Sequence, residues 1–238
     1  MPTSEQNRHP GSEVFHLLTQ LADTVQEYQR NGFDGIFHVG KKPASVEPVV
    51  LTLDQLCQDL QGCQRCGLHE RRTRVVFGAG DPHAILMLIG EAPGEHEDRE
   101  GQPFIGAAGE MLTKILRAIR LSRDEVYLTS AVKCRPPENR EPSAEELAAC
   151  EPFLRQQITL IRPKIICTLG QIATHTLLKT TERISEARGK WHEYNGIKVM
   201  PTFHPAYLLR NEQGKRPVWE DMQQIQREYE QYAPRPAR

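Results

Sequence analysis

The sequence predicts an α/β domain in three layers, with a four-stranded parallel sheet lying between helices. Three observations predict it. Four apolar runs, 84–89, 126–132, 164–169 and 197–202, are too short for ordinary helices and read as strands buried on both faces. Segments with three- and four-residue apolar spacing alternate with these runs, the pattern of a parallel sheet covered on both sides. Finally, run 84–89 breaks into Gly90-Glu91-Ala92-Pro93-Gly94, with Glu95, Glu97 and Asp98 behind it and a small-residue helix start at 106–109. Strand, acid-bearing loop and helix N-terminus together build a crevice at the carboxyl end of a parallel strand, where open α/β sheets bind ligands.

The chain of 238 residues has room for one domain of about 180–200 residues and an appendage. Hydrophobic content of 38% and charged content of 26% indicate a soluble globular protein. No apolar run approaches the roughly 18–20 residues of a membrane span, so no membrane partner is expected. The start, M-P-T-S-E-Q-N-R-H-P, lacks the apolar core of a signal peptide, and the expected compartment is cytoplasmic. A net charge of −1 excludes a uniformly basic nucleic-acid coat but leaves room for a local basic face. Six cysteines in this context argue for metal binding or free thiols over a disulfide framework.

Taken in order, residues 1–11 are polar, and Val14, Leu17, Leu18, Leu21 and Val25 mark an amphipathic helix to about Arg30. Gly and Pro then punctuate 31–50 as a linker. Residues 1–50 are therefore expected to be an extension that docks a partner, joins copies or packs back on its own domain. The main domain is expected over 51–232, with a free tail at 233–238. Its first helix, 52–62, carries Leu53, Leu56, Cys57 and Leu60 on one face, with Thr52 as cap and Gly62 as stop. After the first strand, Met111, Leu112, Ile115, Leu116 and Ile119 form the core face of a helix from 106 to about 120. The second strand runs into Lys133-Cys134-Arg135-Pro136-Pro137, a loop by virtue of its prolines. The next helix, 143–161, opens on Ser143 with Glu146 at N3, a capping box. Gly170 starts a short helix after the third strand, and Asn195-Gly196 turns the chain into the fourth. That strand delivers Phe203-His204-Pro205-Ala206-Tyr207-Leu208-Leu209-Arg210, and a last helix spans 217–229.

Cys63 and Cys66 have the C-x2-C spacing that lets two thiolates reach one metal centre, and Cys134 and Cys150 form a more distant pair. Zinc and a four-iron cluster both accept four thiolates, so spacing leaves the two open. Cys57 and Cys167 occupy apolar-face and strand positions and read as small core hydrophobes.

Four stretches, G-E-A-P-G-E-H-E-D-R-E-G-Q-P-F-I-G-A-A-G, A-V-K-C-R-P-P-E-N-R-E-P, R-G-K-W and H-P-A-Y-L-L-R, closely resemble the family-4 uracil-DNA glycosylases, the iron–sulfur members of that superfamily. The resemblance covers about residues 53–229 in the same motif order. It implies the uracil-DNA glycosylase-like three-layer fold, a [4Fe-4S] cluster on Cys63, Cys66, Cys134 and Cys150, and uracil-containing DNA, single- or double-stranded, as substrate. It also implies roles one residue at a time. Gly90, Glu91 and Ala92 match the loop that contacts the uracil edge and positions water. Glu97 matches a second loop acid, Phe104 the aromatic that stacks on the flipped base, and His204 the histidine beside the uracil O2. Tyr207 to Arg210 match the loop that enters the minor groove, with Leu208 as the expected wedge. Arg188 and Lys190, with Arg71, Arg72, Arg74, Lys133, Arg135, Arg140, Arg210, Lys215 and Arg216, are the expected phosphate contacts. The chain departs from the family where its best-known members read the uracil edge with an asparagine. Here that position is Ser130, whose hydroxyl cannot make the two-point amide contact.

These residue types suit the chemistry. A base must be flipped out of the duplex before it can be cut, and an aromatic face is worth about 1–3 kcal/mol per stacked base. Cleavage leaves a uracil anion and an oxocarbenium-like sugar, so Glu91, Glu97 and His204 are the expected catalytic residues. A hydrogen-bond donor such as His204 stabilises the anion, and a carboxylate the cation and a water. A monomeric DNA-repair hydrolase is thus the expected activity. The competing readings are a damage-binding relative with weak or no turnover, and a structural iron–sulfur partner of a DNA-processing complex.

Overall fold

The computed structural model describes residues 52–233. The helix expected at 12–30 and the tail beyond residue 233 lie outside the described residues. The chain divides between Val50 and Leu51 into two units, and the fold below belongs to the second.

Strands β2 (Leu86–Gly90), β3 (Val126–Ser130), β4 (Ile165–Leu169) and β6 (Ile197–Thr202) form the parallel core foreseen from the four apolar runs. All residues of the first three are buried, as strands covered on both faces require. The expectation of a four-stranded sheet needs one correction. The sheet has six strands in the order β1-β3-β2-β4-β6-β5, because short antiparallel strands β1 (Ala79–Gly80) and β5 (His192–Tyr194) close its two edges. Two or three polar-flanked residues carry no periodicity to read, and edge strands this short leave little unpaired backbone exposed. Pro201 sits in β6 past the reach of β5, whose pairing ends at Val199, so its missing N–H breaks no ladder on that side.

The helices form where their caps and apolar stripes place them. Helix α1 (Leu53–Gln61) has the Thr52 cap reinforced by a reciprocal bond with Gln55. Helix α2 (Glu95–Glu100) was not foreseen, since its six residues, E-H-E-D-R-E, have no apolar face. It is anchored by Asp98, which is buried and accepts the backbone N–H groups of Thr73 and Arg74. Helix α3 (Gly106–Ala118) and α4 (Ala144–Ile161) follow, the latter with the Ser143–Glu146 capping box in place. Then come α5 (Gln171–Leu178), α6 (Ile184–Ala187), α7 (Pro205–Arg210) and α8 (Lys215–Tyr232). One face of the sheet packs Leu86, Leu88, Leu128 and Met200 against Leu112 and Leu116 of α3 and Met222 and Ile225 of α8. The other packs Met87, Ile89, Ile166 and Val199 against Leu154 and Ile158 of α4 and Ala173 and Leu177 of α5. Three layers result, with the carboxyl ends of the parallel strands gathered at one edge. No helix among the described residues is long and apolar enough to cross a membrane.

Candidate active site

That edge carries the motif residues. Gly90 ends β2 in register with Ser130 at the end of β3. The backbone N–H groups of Ala131 and Val132 donate to Gly90 and Glu91 at 2.9 and 3.1 Å, so the acid loop is pinned to the strand beside it. On the other side, Gly170 N–H donates to Thr202 at 2.8 Å, tying β4 to the strand that delivers His204. A side chain at Gly170, which sits at φ +89°, would press on His204 Cβ at 3.2 Å. The Phe104 and His204 rings face each other, with centroids 6.1 Å apart and planes inclined by 31°. Two carbon layers in contact need about 7–8 Å, so no flat ring fits between the two. The tip of Phe104 abuts Gly90, where an added Cβ would stand 2.6 Å from Cζ.

His204 is held as a neutral donor. Burial pushes its pKa down to about 4. Ala206 N–H donates to Nδ1 at 3.2 Å, so the single ring proton resides on Nε2. The two carboxylates expected at the site part company. Glu91 is half-buried, its carboxylate has no hydrogen-bond partner among the described residues, and burial and the charge of Glu141 push its pKa up. Glu97 is spent on the backbone: one oxygen accepts the N–H of Gly94, the other that of Phe104 at 2.7 Å. Burial raises its pKa, and bonds from Gly94, Phe104 and Ile105 with the charge of Arg123 work against that rise. Ser130 is buried, and its hydroxyl has no partner among the described residues. Ala92 lies nearby in the same loop, packed against the cysteine-bearing cluster below.

Cys63, Cys66, Cys134 and Cys150 line one small pocket with Leu60, Arg65, Arg72 and Ala149. All six cysteines are free, and Cys57 and Cys167 stand outside the pocket. The four thiols share this pocket without closing on a point: among the described residues no group of three His, Cys, Asp or Glu is drawn together enough to hold a single ion. Burial pushes the Cys150 thiol up to about 11, and the neighbouring charge of Lys133 opposes it. Arg72 Nη1 donates to Cys134 Sγ at 3.3 Å.

A neutral histidine, a buried aromatic and a carboxylate unpartnered among the described residues thus share one strand-end edge. The pattern of the Uracil DNA glycosylase superfamily matches residues 77–223. The chain belongs to the uracil-DNA glycosylase superfamily. A "Type-4 uracil-DNA glycosylase" of Saccharolobus solfataricus is 44% identical over 182 residues, 73% of this chain and 84% of that protein. One of Thermotoga maritima is 42% identical over 175 residues, 72% of this chain and 91% of that protein. A "Type-5 uracil-DNA glycosylase" of Pyrobaculum aerophilum is 36% identical over 149 residues, 56% of this chain and 66% of that protein.

Within this superfamily member the structure corrects four expectations. Leu208 is not an exposed wedge: it is 2% exposed and packs in the core, whereas Leu209, next to it, is 47% exposed. A short helix at Pro205–Arg210 turns one leucine inward and the other outward, and no periodicity read across six residues shows which. Arg188 is a brace. Its Nε and Nη2 donate to Asp221, which is fully buried and also accepts from Thr202 Oγ1, and Nη2 reaches the Pro217 carbonyl. Lys133 is fully buried, donating to Thr129 Oγ1, the Ser130 carbonyl and Gln157 Oε1 at 2.5–2.6 Å, and burial pushes its pKa down to about 8. Arg140 pairs with Glu146 at 2.7 Å, in the capping box. Lys190, Tyr207 and Arg210 remain exposed on the outside of these elements. Arg123, Asp221 and Gln157 hold the site together and lie outside every motif, so no sequence signal points to them.

Proposed function

We infer that the strand-end edge hydrolyses the N-glycosidic bond of uracil in DNA, releasing the base and leaving an abasic site. The observation that carries this reading is the neutral His204. With Nδ1 engaged by Ala206, Nε2–H is a fixed donor for the O2 of a base stacked on Phe104. As the glycosidic bond breaks, its electrons move onto the base and negative charge grows at O2. A donor already in place costs no reorganisation then, and such donors are worth about 2.7–4 kcal/mol in the transition state. A neutral imidazole suits this task, since it donates a hydrogen bond without surrendering its proton. Glu91 serves the other half. Its carboxylate has no competing partner among the described residues, so it is available to face the oxocarbenium-like sugar and to hold the water whose oxygen adds to the anomeric carbon. The proton released from that water balances the uracil anion. Ser130, in register with Gly90, offers one hydroxyl to the base edge.

The four-cysteine pocket fits an iron–sulfur cluster. Four thiolates spread around one pocket suit a cluster whose irons are themselves spread apart, and Arg72 and Lys133 supply positive charge beside them. Cys63, Cys66, Cys134 and Cys150 would hold it, and when bound it would supply a covalent brace, because glycosidic hydrolysis moves no electrons. The brace joins the segment after α1 to the loop after β3 and to α4, under the wall that carries Ser130. Lys190, Tyr207, Leu209 and Arg210 are the exposed residues available to DNA, with Leu209 in place of Leu208 as the intercalating side chain.

Incubation with uracil-containing single-stranded DNA, and with uracil opposite G and opposite A, tests the reading. Alkali-labile strands are expected from each. A retarded band with no abasic site would favour the damage-binding alternative, which the loss of the edge-reading amide at Ser130 supports.

A further inference from the structure

Phe104 is held in an unusual way. Its φ of 54° lies in the left-handed region, where a bulky side chain is strained and persists only if its surroundings dictate it. Three groups do so. Glu97, from α2, accepts the Phe104 N–H at 2.7 Å. Arg123, in the turn that feeds β3, donates Nη1 to the Phe104 carbonyl at 2.9 Å and Nη2 to the Pro103 carbonyl at 2.8 Å. Gly109 lets α3 pack on the same carbonyl, since a Cβ there would stand 1.7 Å from Phe104 O. The backbone of the aromatic residue is therefore gripped from its N–H side by an anion and from its carbonyl side by a cation. Each charged group influences the other across the peptide.

We propose that Glu97 and Arg123 form a two-sided clamp that sets the pitch of the Phe104 ring against Gly90, making Arg123 a positioning residue for base stacking and moving Glu97 from the reacting sugar to the same task. The proposal rests on the reading that Phe104 stacks on the flipped base. The division of labour between the two carboxylates follows from their partners. Each oxygen of Glu97 is already held by a backbone donor, so a water there would have to share it with the backbone, whereas among the described residues Glu91 has both oxygens unengaged. A guanidinium is needed at 123 because its planar fork spans two successive carbonyls, which a lysine ammonium cannot do with the same geometry.

A double-mutant cycle in kcat/KM on uracil-containing single-stranded DNA tests the clamp. Phe104→Leu keeps an apolar side chain but removes the flat face, and is expected to cost about 5- to 150-fold, the worth of one stacked base. Arg123→Gln and Glu97→Gln should each cost about tenfold, mainly through KM, and Arg123→Lys should fall between Arg123→Gln and the unaltered protein. In the Phe104→Leu background neither Gln substitution should cost anything further, because groups that act through one residue are not additive. The acid limb of the pH–rate profile should stay in place in Glu97→Gln. Additive losses would overturn the clamp, as would Phe104→Leu with undiminished activity, since there would be nothing to position. A loss of kcat of about a thousandfold in Glu97→Gln, with KM unchanged, would return Glu97 to the water and overturn its reassignment. Release of uracil by the unaltered protein is read separately, so failure of the clamp is distinct from failure of the activity. Thermal melts of each variant show whether a loss reflects unfolding, and Arg123→Lys, which retains the charge, keeps the cycle readable if Arg123→Gln does not fold.

Discussion

Ser130 and His204 stand on the same strand-end edge, yet the free energy at stake differs. Ser130 offers one neutral hydrogen bond, so Ser130→Ala is expected to cost about 0.5–1.5 kcal/mol in kcat/KM. His204→Ala removes a donor whose stabilisation grows as charge develops on the base, and should cost about 2.7–4 kcal/mol. Ser130→Asn restores donor and acceptor together and should keep or raise the rate on uracil. Steady-state kinetics on one uracil-containing oligonucleotide rank the three. If Ser130→Ala silences the enzyme and His204→Ala is nearly neutral, the base lies against the opposite wall. The residue types at these positions were legible in the sequence. The tautomer of His204 was not, because it depends on the Ala206 N–H that the turn into α7 aims at Nδ1.

At the scale of elements, the cysteines and the basic residues each sort into two groups. Cys63→Ala, Cys66→Ala, Cys134→Ala and Cys150→Ala should each abolish the visible iron–sulfur absorbance and lower iron from about four atoms per chain. Cys57→Ala and Cys167→Ala should retain both. Stoichiometric zinc with no iron, in protein purified without air, would count against the cluster. Among the cations, Lys190→Ala and Arg210→Ala should each reduce the salt dependence of DNA binding, lowering the slope by about 0.7–0.9 per charge. Arg188→Met should instead destabilise the fold by about 3–5 kcal/mol, because it strands the fully buried Asp221 between β6 and α8. Salt titrations of DNA affinity and thermal melts separate the two behaviours. Both groups read alike in the sequence as basic residues in loops; the partner opposite Arg188 is 33 positions away, on the last helix.

For the whole molecule, His204 links stability to pH. Its ordinary pKa is 6.5 and burial lowers it to about 4 in the folded protein, so the unfolded chain binds the extra proton between these values. The contribution is fully present above pH 6.5 and is lost as pH falls toward 4. The melting temperature should therefore drop on acidification over that window, and His204→Asn should drop by less over the same window. An equal drop in both proteins would show that His204 titrates at its ordinary value in the fold, so that burial does not hold it neutral below pH 6.5.

The sequence by itself determined the parallel core, the order of the longer helices and which motifs lie at the strand ends. Those features rest on local rules: short apolar runs, caps such as Thr52 and Ser143, and glycine and proline in the loops at the strand ends. The resemblance in its motifs told the same story, since motif residues sit where strand ends converge. Tertiary structure alone decided which leucine of Leu208 and Leu209 is buried, which carboxylate is spoken for, which arginines are braces, and that Phe104 is held at both faces of its peptide. The braces and the grip on Phe104 depend on partners distant in the chain: Arg123 is 19 residues from Phe104, and Gln157 is 24 from Lys133. A buried charge or a strained backbone is tolerated only where such partners arrive, and packing the sheet between its helices is what brings them there.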